Sequence, residues 1–179
     1  MEPAARKDAA ATAASPAGSS AGTGPTRWLN EEEQAAWQAF ASVLLRLPGA
    51  LDRQLERDAG ISHFEYVVLS ALSEAPDRTL RMGSLAVLAS SGLPRLSQVV
   101  SRLQKRGWIT RAPDPRDGRS TLATLTDEGW EKVVATAPGH VEEVRSLAFD
   151  PLTRAQQRQM GEIGRRIMAA VDPGDRSLR

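Results

Sequence analysis

Between Leu93 and Arg106 the sequence LPRLSQVVSRLQKR sorts its residues by helical period. Leu96, Val99, Val100 and Leu103 fall at i, i+3, i+4 and i+7, the spacing that buries one face of a helix. The other face presents Arg95, Gln98 and Arg102, with Ser97, Ser101 and Lys105 beside them. A guanidinium pairs with O6 and N7 of guanine, a carboxamide with N6 and N7 of adenine, and a hydroxyl with base or phosphate, so these residues carry the chemistry of a major-groove edge. The N-terminal turn of such a helix reaches the bases, which points to Pro94, Arg95, Ser97 and Gln98. Ser101, Arg102, Lys105 and Arg106, further along, suit phosphates.

Charge along the chain agrees with that chemistry. The net charge is +1, yet residues 28–77 carry −6 and residues 78–119 carry +7, with +1 over residues 1–27 and −1 over residues 120–179. From Arg78 to Arg111 there are seven basic residues and no acidic one. A surface kept soluble by mixed charge intersperses both signs, whereas one sign gathered in a block suits a polyanion whose counterions are released on binding. On charge alone, a solvated basic surface remains an open reading.

The elements that must hold this helix can be read from apolar period and punctuation. Asn30 with Glu33 predicts a cap for a long first helix carrying Trp37, Phe40, Leu44, Leu47, Leu51 and Leu55, with Pro48 and Gly49 predicting a kink or a split. Ser62 with Glu65 predicts a second helix ending near Ala75, before Pro76. A very short strand at Thr79–Leu80 and a short helix over Met82–Ala89 follow, and Ser91–Gly92 separates them from the basic helix. Two short strands, 108–112 and 120–125, are joined by PDPRDGR, which reads as a hairpin tip. Thr126 caps a helix bent at Pro138–Gly139, and Thr153 with Gln156 caps a last one carrying Met160, Ile163, Ile167 and Val171. At the hairpin tip, Arg116 and Arg119 stand beside Asp114 and Asp117. One reading sends Arg116 into the electronegative minor groove while the two aspartates brace neighbouring arginines; the other is an ordinary charged hairpin.

Several classes are excluded or disfavoured. The absence of cysteine removes disulfides, thiolate metal sites and thiol switches. No apolar stretch approaches a membrane span, and the first residues do not read as a secretory signal, so a cytoplasmic location is expected. No GxSxG elbow, HExxH or P-loop is present, and His63 and His140 are the only near-neutral bases, so neither an enzyme nor a cofactor or metal is expected.

The segment SGLPRLSQVVSRLQKRGWITRAPDPRDGRSTLATLTDEG resembles the core of the MarR family of bacterial transcriptional regulators. The resemblance rests on the helix ending SRLQKRG, the spacing of Asp114, Arg116, Gly118 and Arg119, and the helix opening LTDEG, and it extends over about residues 30 to 171. It implies a mostly α protein with a small β-wing, a winged helix-turn-helix whose N- and C-terminal helices build a dimerisation region. The expected layout is a disordered tail over 1–27, a dimerisation helix over 28–60, the DNA-binding lobe over 61–126, dimerisation helices over 127–172 and a tail over 173–179. It implies a homodimer reading double-stranded DNA at a pseudo-palindromic operator, typically as a repressor, with Pro94, Arg95, Ser97 and Gln98 facing bases and Arg116 in the minor groove. It further implies release by a small, frequently aromatic or phenolic, effector. Trp37, Phe40, His63 and Tyr66 are the pocket candidates, being aromatic or titratable on the first two helices, although core packing accounts for the aromatics as well. Members that sense urate resemble one another in an acidic residue on the second helix, where this chain has Val67. A winged helix serving as an interaction or dimerisation scaffold without specific DNA readout stays open as the alternative.

Overall fold

The computed structural model describes residues 25–172, so the tail expected over 173–179 and most of that expected over 1–27 lie outside the described residues. The chain divides into two units, Met1–Trp37 and Gln38–Arg179. In the first, Asn30 opens α1 (Glu31–Ala59) through a reciprocal cap. Its side chain accepts the Glu33 amide at 2.9 Å, and the Glu33 carboxylate accepts the Asn30 amide at 3.0 Å. Glu31, Glu32 and Glu33 place negative charge where the helix dipole is positive.

In the second unit, Pro48 lies inside α1, which runs through it without splitting. A proline removes a single amide from the ladder, and the following turns are anchored in the core by Leu51, Gln54 and Leu55. Ser62 starts α2 (His63–Ser73) with a full capping box, its hydroxyl accepting the Glu65 amide at 3.2 Å while Glu65 accepts the Ser62 amide at 2.9 Å. A 3₁₀ turn at Pro76–Arg78 leads into β1 (Thr79–Arg81), α3 (Met82–Leu88) and α4 (Leu93–Lys105). Leu55, Leu69, Leu72, Leu85, Leu96 and Leu103 are fully buried, so the four helices share one core.

Strands β2 (Ile109–Asp114) and β3 (Asp117–Leu125) complete an antiparallel sheet of order β1-β3-β2. Buried Ala123 in the central strand stands opposite Leu80 on one side and Arg111 on the other. The hairpin is longer than its sequence suggests, because pairing runs through much of the PDPRDGR segment with an irregularity at Pro113/Asp114 and leaves only Pro115 and Arg116 between the strands. Aspartate chemistry explains this. Asp114 accepts the Arg116 amide at 2.9 Å and Asp117 accepts the Arg119 amide at 3.2 Å, so two side-chain-closed turns do the work expected of a longer loop.

Gly107, at φ +79°, ends α4 with a Schellman motif. The Trp108 amide donates to the Leu103 carbonyl at 3.1 Å and the Gly107 amide to that of Gln104 at 3.0 Å. Gly107→Ala is therefore expected to destabilise the fold by about 1–2 kcal/mol through its left-handed backbone, read as a lowered urea midpoint at unchanged slope.

Helix α5 (Asp127–Val144) is capped by Thr126, whose hydroxyl accepts the Gly129 amide at 3.0 Å and donates to the Gly107 carbonyl at 2.7 Å. Pro138 is accommodated within α5; the irregularity comes later, as a π-helical turn over Arg145–Phe149. The first turn of α5 lies against the backbone of Trp108: a Cβ built on Gly129 collides with the Trp108 carbonyl oxygen and comes within 2.7 Å of Leu125 Cδ1. Helix α6 (Arg154–Val171) opens with the Thr153–Gln156 box yet buries none of its residues, leaving Met160, Ile163, Ile167 and Val171 exposed.

Candidate nucleic-acid interface

The buried face of α4 is the one its period predicts, Leu96, Val99, Val100 and Leu103. Pro94, Arg95, Gln98, Arg102, Lys105 and Arg106 are exposed, and Ser97 and Ser101 are half-buried beside them. Several of the cationic side chains are held by neighbours. The Arg95 guanidinium lies 4.4 Å from the centroid of the Phe64 ring on α2. Arg102 Nε donates to Glu65 Oε1 at 3.3 Å, so one buried carboxylate both caps α2 and grips α4. Arg106 donates to the Gly60 carbonyl at 3.2 Å and lies over the Trp108 ring.

The wing is tied to the body by Arg81 at the end of β1, whose Nε donates to Asp114 Oδ2 at 2.7 Å. Asp114 is buried, and the Arg116 amide, with the Arg81 guanidinium beside it, holds its carboxyl below the usual carboxylate range. Asp117 accepts the Arg119 amide and the Ser120 hydroxyl, the latter at 2.8 Å. The two aspartates thus meet the wing arginines through backbone amides, and the guanidinium that Asp114 holds belongs to Arg81. Arg116 and Arg119 themselves are exposed.

Between α3, α4 and the wing runs a cleft of about 480 Å³ whose polar lining includes Arg81, Ser97, Arg111, Arg119, Ser120 and Thr121. Arg111 is steadied by Gln104 at 2.7 Å. Arginines and hydroxyls converging on an open cleft suit a phosphate chain. Neither Arg81 nor Arg111 is marked by helical period or motif in the sequence. Both lie in the acid-free run that marked the region, and the strand pairing that turns them toward the cleft is the missing information.

His63 and Tyr66 line a separate cavity of about 420 Å³, with Val67, Ser70, Glu74 and His140 among the other lining residues. Phe40 is exposed on α1 and is not among its described lining residues, and Trp37, in the first unit, is exposed on the same helix. The Tyr66 and His140 rings are 4.6 Å apart and those of His63 and His140 5.8 Å apart. His140 is further held by Gln54 Oε1 at 3.2 Å from Nδ1. Burial pushes both imidazoles below their usual range, against the pull of Asp52 on His63 and of Glu143 on His140, and the pair also disfavours its own double charging. The sign for stability follows. The unfolded chain takes up these protons near pH 6.5 while the folded chain resists, so stability present above that pH is lost as pH falls toward the lowered folded values. The melting temperature is expected to drop between pH 7 and pH 5, and less so in a His63→Gln/His140→Gln double variant.

A helical pair presenting a basic second helix, followed by a two-stranded wing paired with a short upstream strand, defines a winged helix-turn-helix protein. The MarR family model matches residues 59–120. The HTH-type transcriptional regulator YdcH of Bacillus subtilis is 32% identical over 115 residues, 63% of this chain and 74% of that one. The transcriptional repressor MprA of Escherichia coli is 23% identical over 113 residues, 63% of this chain and 64% of that one. Among solved structures, the MarR family transcriptional regulator Sco3205 from Streptomyces coelicolor, in complex with DNA, is similar with a TM-score of 0.79 and 45% identity, covering 85% of this chain and 96% of that one. The chain belongs to the MarR family of DNA-binding transcriptional regulators.

Proposed function

We propose that this protein is a homodimeric repressor in the cytoplasm that reads a pseudo-palindromic operator and leaves it when a small molecule binds. The observation that carries the DNA reading is the acid-free outer face of α4, aligned with a wing and a cleft that add Arg81, Arg111, Arg116 and Arg119. In this assignment Pro94, Arg95, Ser97 and Gln98 face bases, Ser101, Arg102, Lys105 and Arg106 meet phosphates, and Arg116 enters the minor groove. Asp114 and Asp117 set the wing's shape. Nothing in this role calls for catalysis or a cofactor.

The dimer is supported by α6, an apolar stripe that buries nothing within one chain, and by exposed Leu44 and Leu45 on α1. The helices over 28–60 and 127–172 would pair two copies and leave the lobes over 61–126 to address half-sites about one helical turn apart. Repression agrees with the likeness to the repressor MprA. The effector is assigned to the cavity holding His63 and Tyr66, which lies between the DNA-binding lobe and α5.

Selection of duplexes from a random pool at about physiological salt, read with the solution mass, tests this. An inverted repeat recovered by a dimer is the expected outcome. A pool without enrichment, with binding abolished by modest salt, would leave the winged helix as a nonspecific binder or a scaffold.

A further inference from the structure

The cavity of His63, Tyr66 and His140 has a charge pattern that bears on what it can hold. Among the described residues its lining contains one acidic side chain, Glu74, and neither lysine nor arginine. The remaining polar groups are the two imidazoles, the Tyr66 phenol and Ser70, set against apolar walls from Val67, Ala71, Leu80 and Leu88. Just outside, the Asp52 carboxylate accepts the His63 amide at 2.7 Å, and Glu143 bears on His140. An anionic guest would meet the Glu74 carboxylate, with Asp52 and Glu143 close by, and no lysine or arginine among the described lining residues to receive it. A cationic guest would meet Glu74 at the mouth and the π-faces of Tyr66 and the imidazoles within.

We propose, building on the assignment of this cavity as the effector site, that it takes a planar aromatic cation, such as an amidine or a protonated heteroaromatic amine, in preference to an aromatic carboxylate. Glu74 pairs with the charged nitrogen, the packed rings of Tyr66 and His140 form one aromatic wall for the guest, and the His63 imidazole accepts or donates a hydrogen bond. Burial supports this arrangement because it keeps both imidazoles uncharged at neutral pH, so they offer no positive charge to a carboxylate, and it likewise keeps the Tyr66 phenol protonated.

The volume, about 420 Å³, admits a one- or two-ring compound, and three probes of one shape separate the charge states: benzamidine, benzamide and benzoate. Each is titrated into the full-length protein at pH 7.5, following the imidazole C–H resonances of His63 and His140. Benzamidine is expected to bind about tenfold more tightly than benzoate, with benzamide between them. Glu74→Gln, an exposed position at the end of α2, is expected to bring benzamidine down to the benzamide value and leave benzamide unchanged. Benzoate binding as tightly as benzamidine, or a benzamidine preference that survives Glu74→Gln, would overturn the cationic class while leaving the cavity as an effector site. Unmoved histidine resonances with all three probes would overturn the effector assignment, and the inference with it.

Discussion

Arg95→Ala is expected to weaken binding to the selected operator by roughly 5- to 150-fold, the equivalent of about 1–3 kcal/mol for one bidentate base contact, with a much smaller loss on random duplex. Arg95 stands in the first turn of α4, exposed, with its guanidinium resting over Phe64. That resting place sets the side chain's direction at little expense, because a cation–π contact at an exposed site is worth only about 0.5–1 kcal/mol and is readily exchanged for a guanine edge. Lys105→Ala serves as the contrast. Lying in the last turn of the same helix, Lys105 is expected to lower affinity alike on every sequence and to reduce the slope of log K against log salt by about 1. Competition binding on operator and scrambled duplexes at several salt concentrations measures both. Equal losses from Arg95→Ala on the two duplexes would remove Arg95 from base readout.

The largest stability effect is expected from Gly129→Ala. A methyl group there must enter space already held by the Trp108 carbonyl oxygen and the Leu125 side chain, and the first of these is backbone that cannot rotate away. The loss is expected at the upper end of the about 1–3 kcal/mol typical of overpacked sites, or beyond it, which for a chain of this length lowers the melting temperature by roughly 5–10 °C. Gly118→Ala, where a built Cβ meets nothing within 4 Å, is the neutral control for the same thermal scan. A Gly129→Ala variant melting with the parent protein would mean that α5 does not sit against the turn after α4 as described.

Elements whose period and caps agree were legible from the residues alone. The buried stripe of α4, the Ser62–Glu65 and Thr153–Gln156 boxes and the short β1 all lie where sequence places them. The features left open or read too short are those in which a local breaker met tertiary packing. Pro48 and Pro138 each remove one hydrogen bond, and a helix anchored by buried residues on the far side of the proline tolerates that loss. The PDPRDGR segment was read as loop from its composition, but its aspartates close turns on backbone amides and let the strands extend. At the candidate site, the α4 residues could be nominated because one helix carries them all. Arg81, Arg111 and the cavity around His140 could not, since each depends on residues distant in sequence meeting across the lobe. Arg81 and Asp114 are 33 positions apart, and Gln54 and His140 86.

The two internal carboxylates at this surface alter how its charge should be counted in solution. Glu65 already neutralises Arg102, and Asp114 already neutralises Arg81, at 3.3 and 2.7 Å. A guanidinium that keeps its own counter-charge displaces little from the ion atmosphere around a phosphate, so neither adds a full unit to the counterion stoichiometry of binding. The salt slope of the native protein should therefore fall short of its tally of arginine and lysine side chains at the interface. Affinity should also fade more gently with rising ionic strength than the nine arginine and lysine side chains over residues 78–119 would suggest.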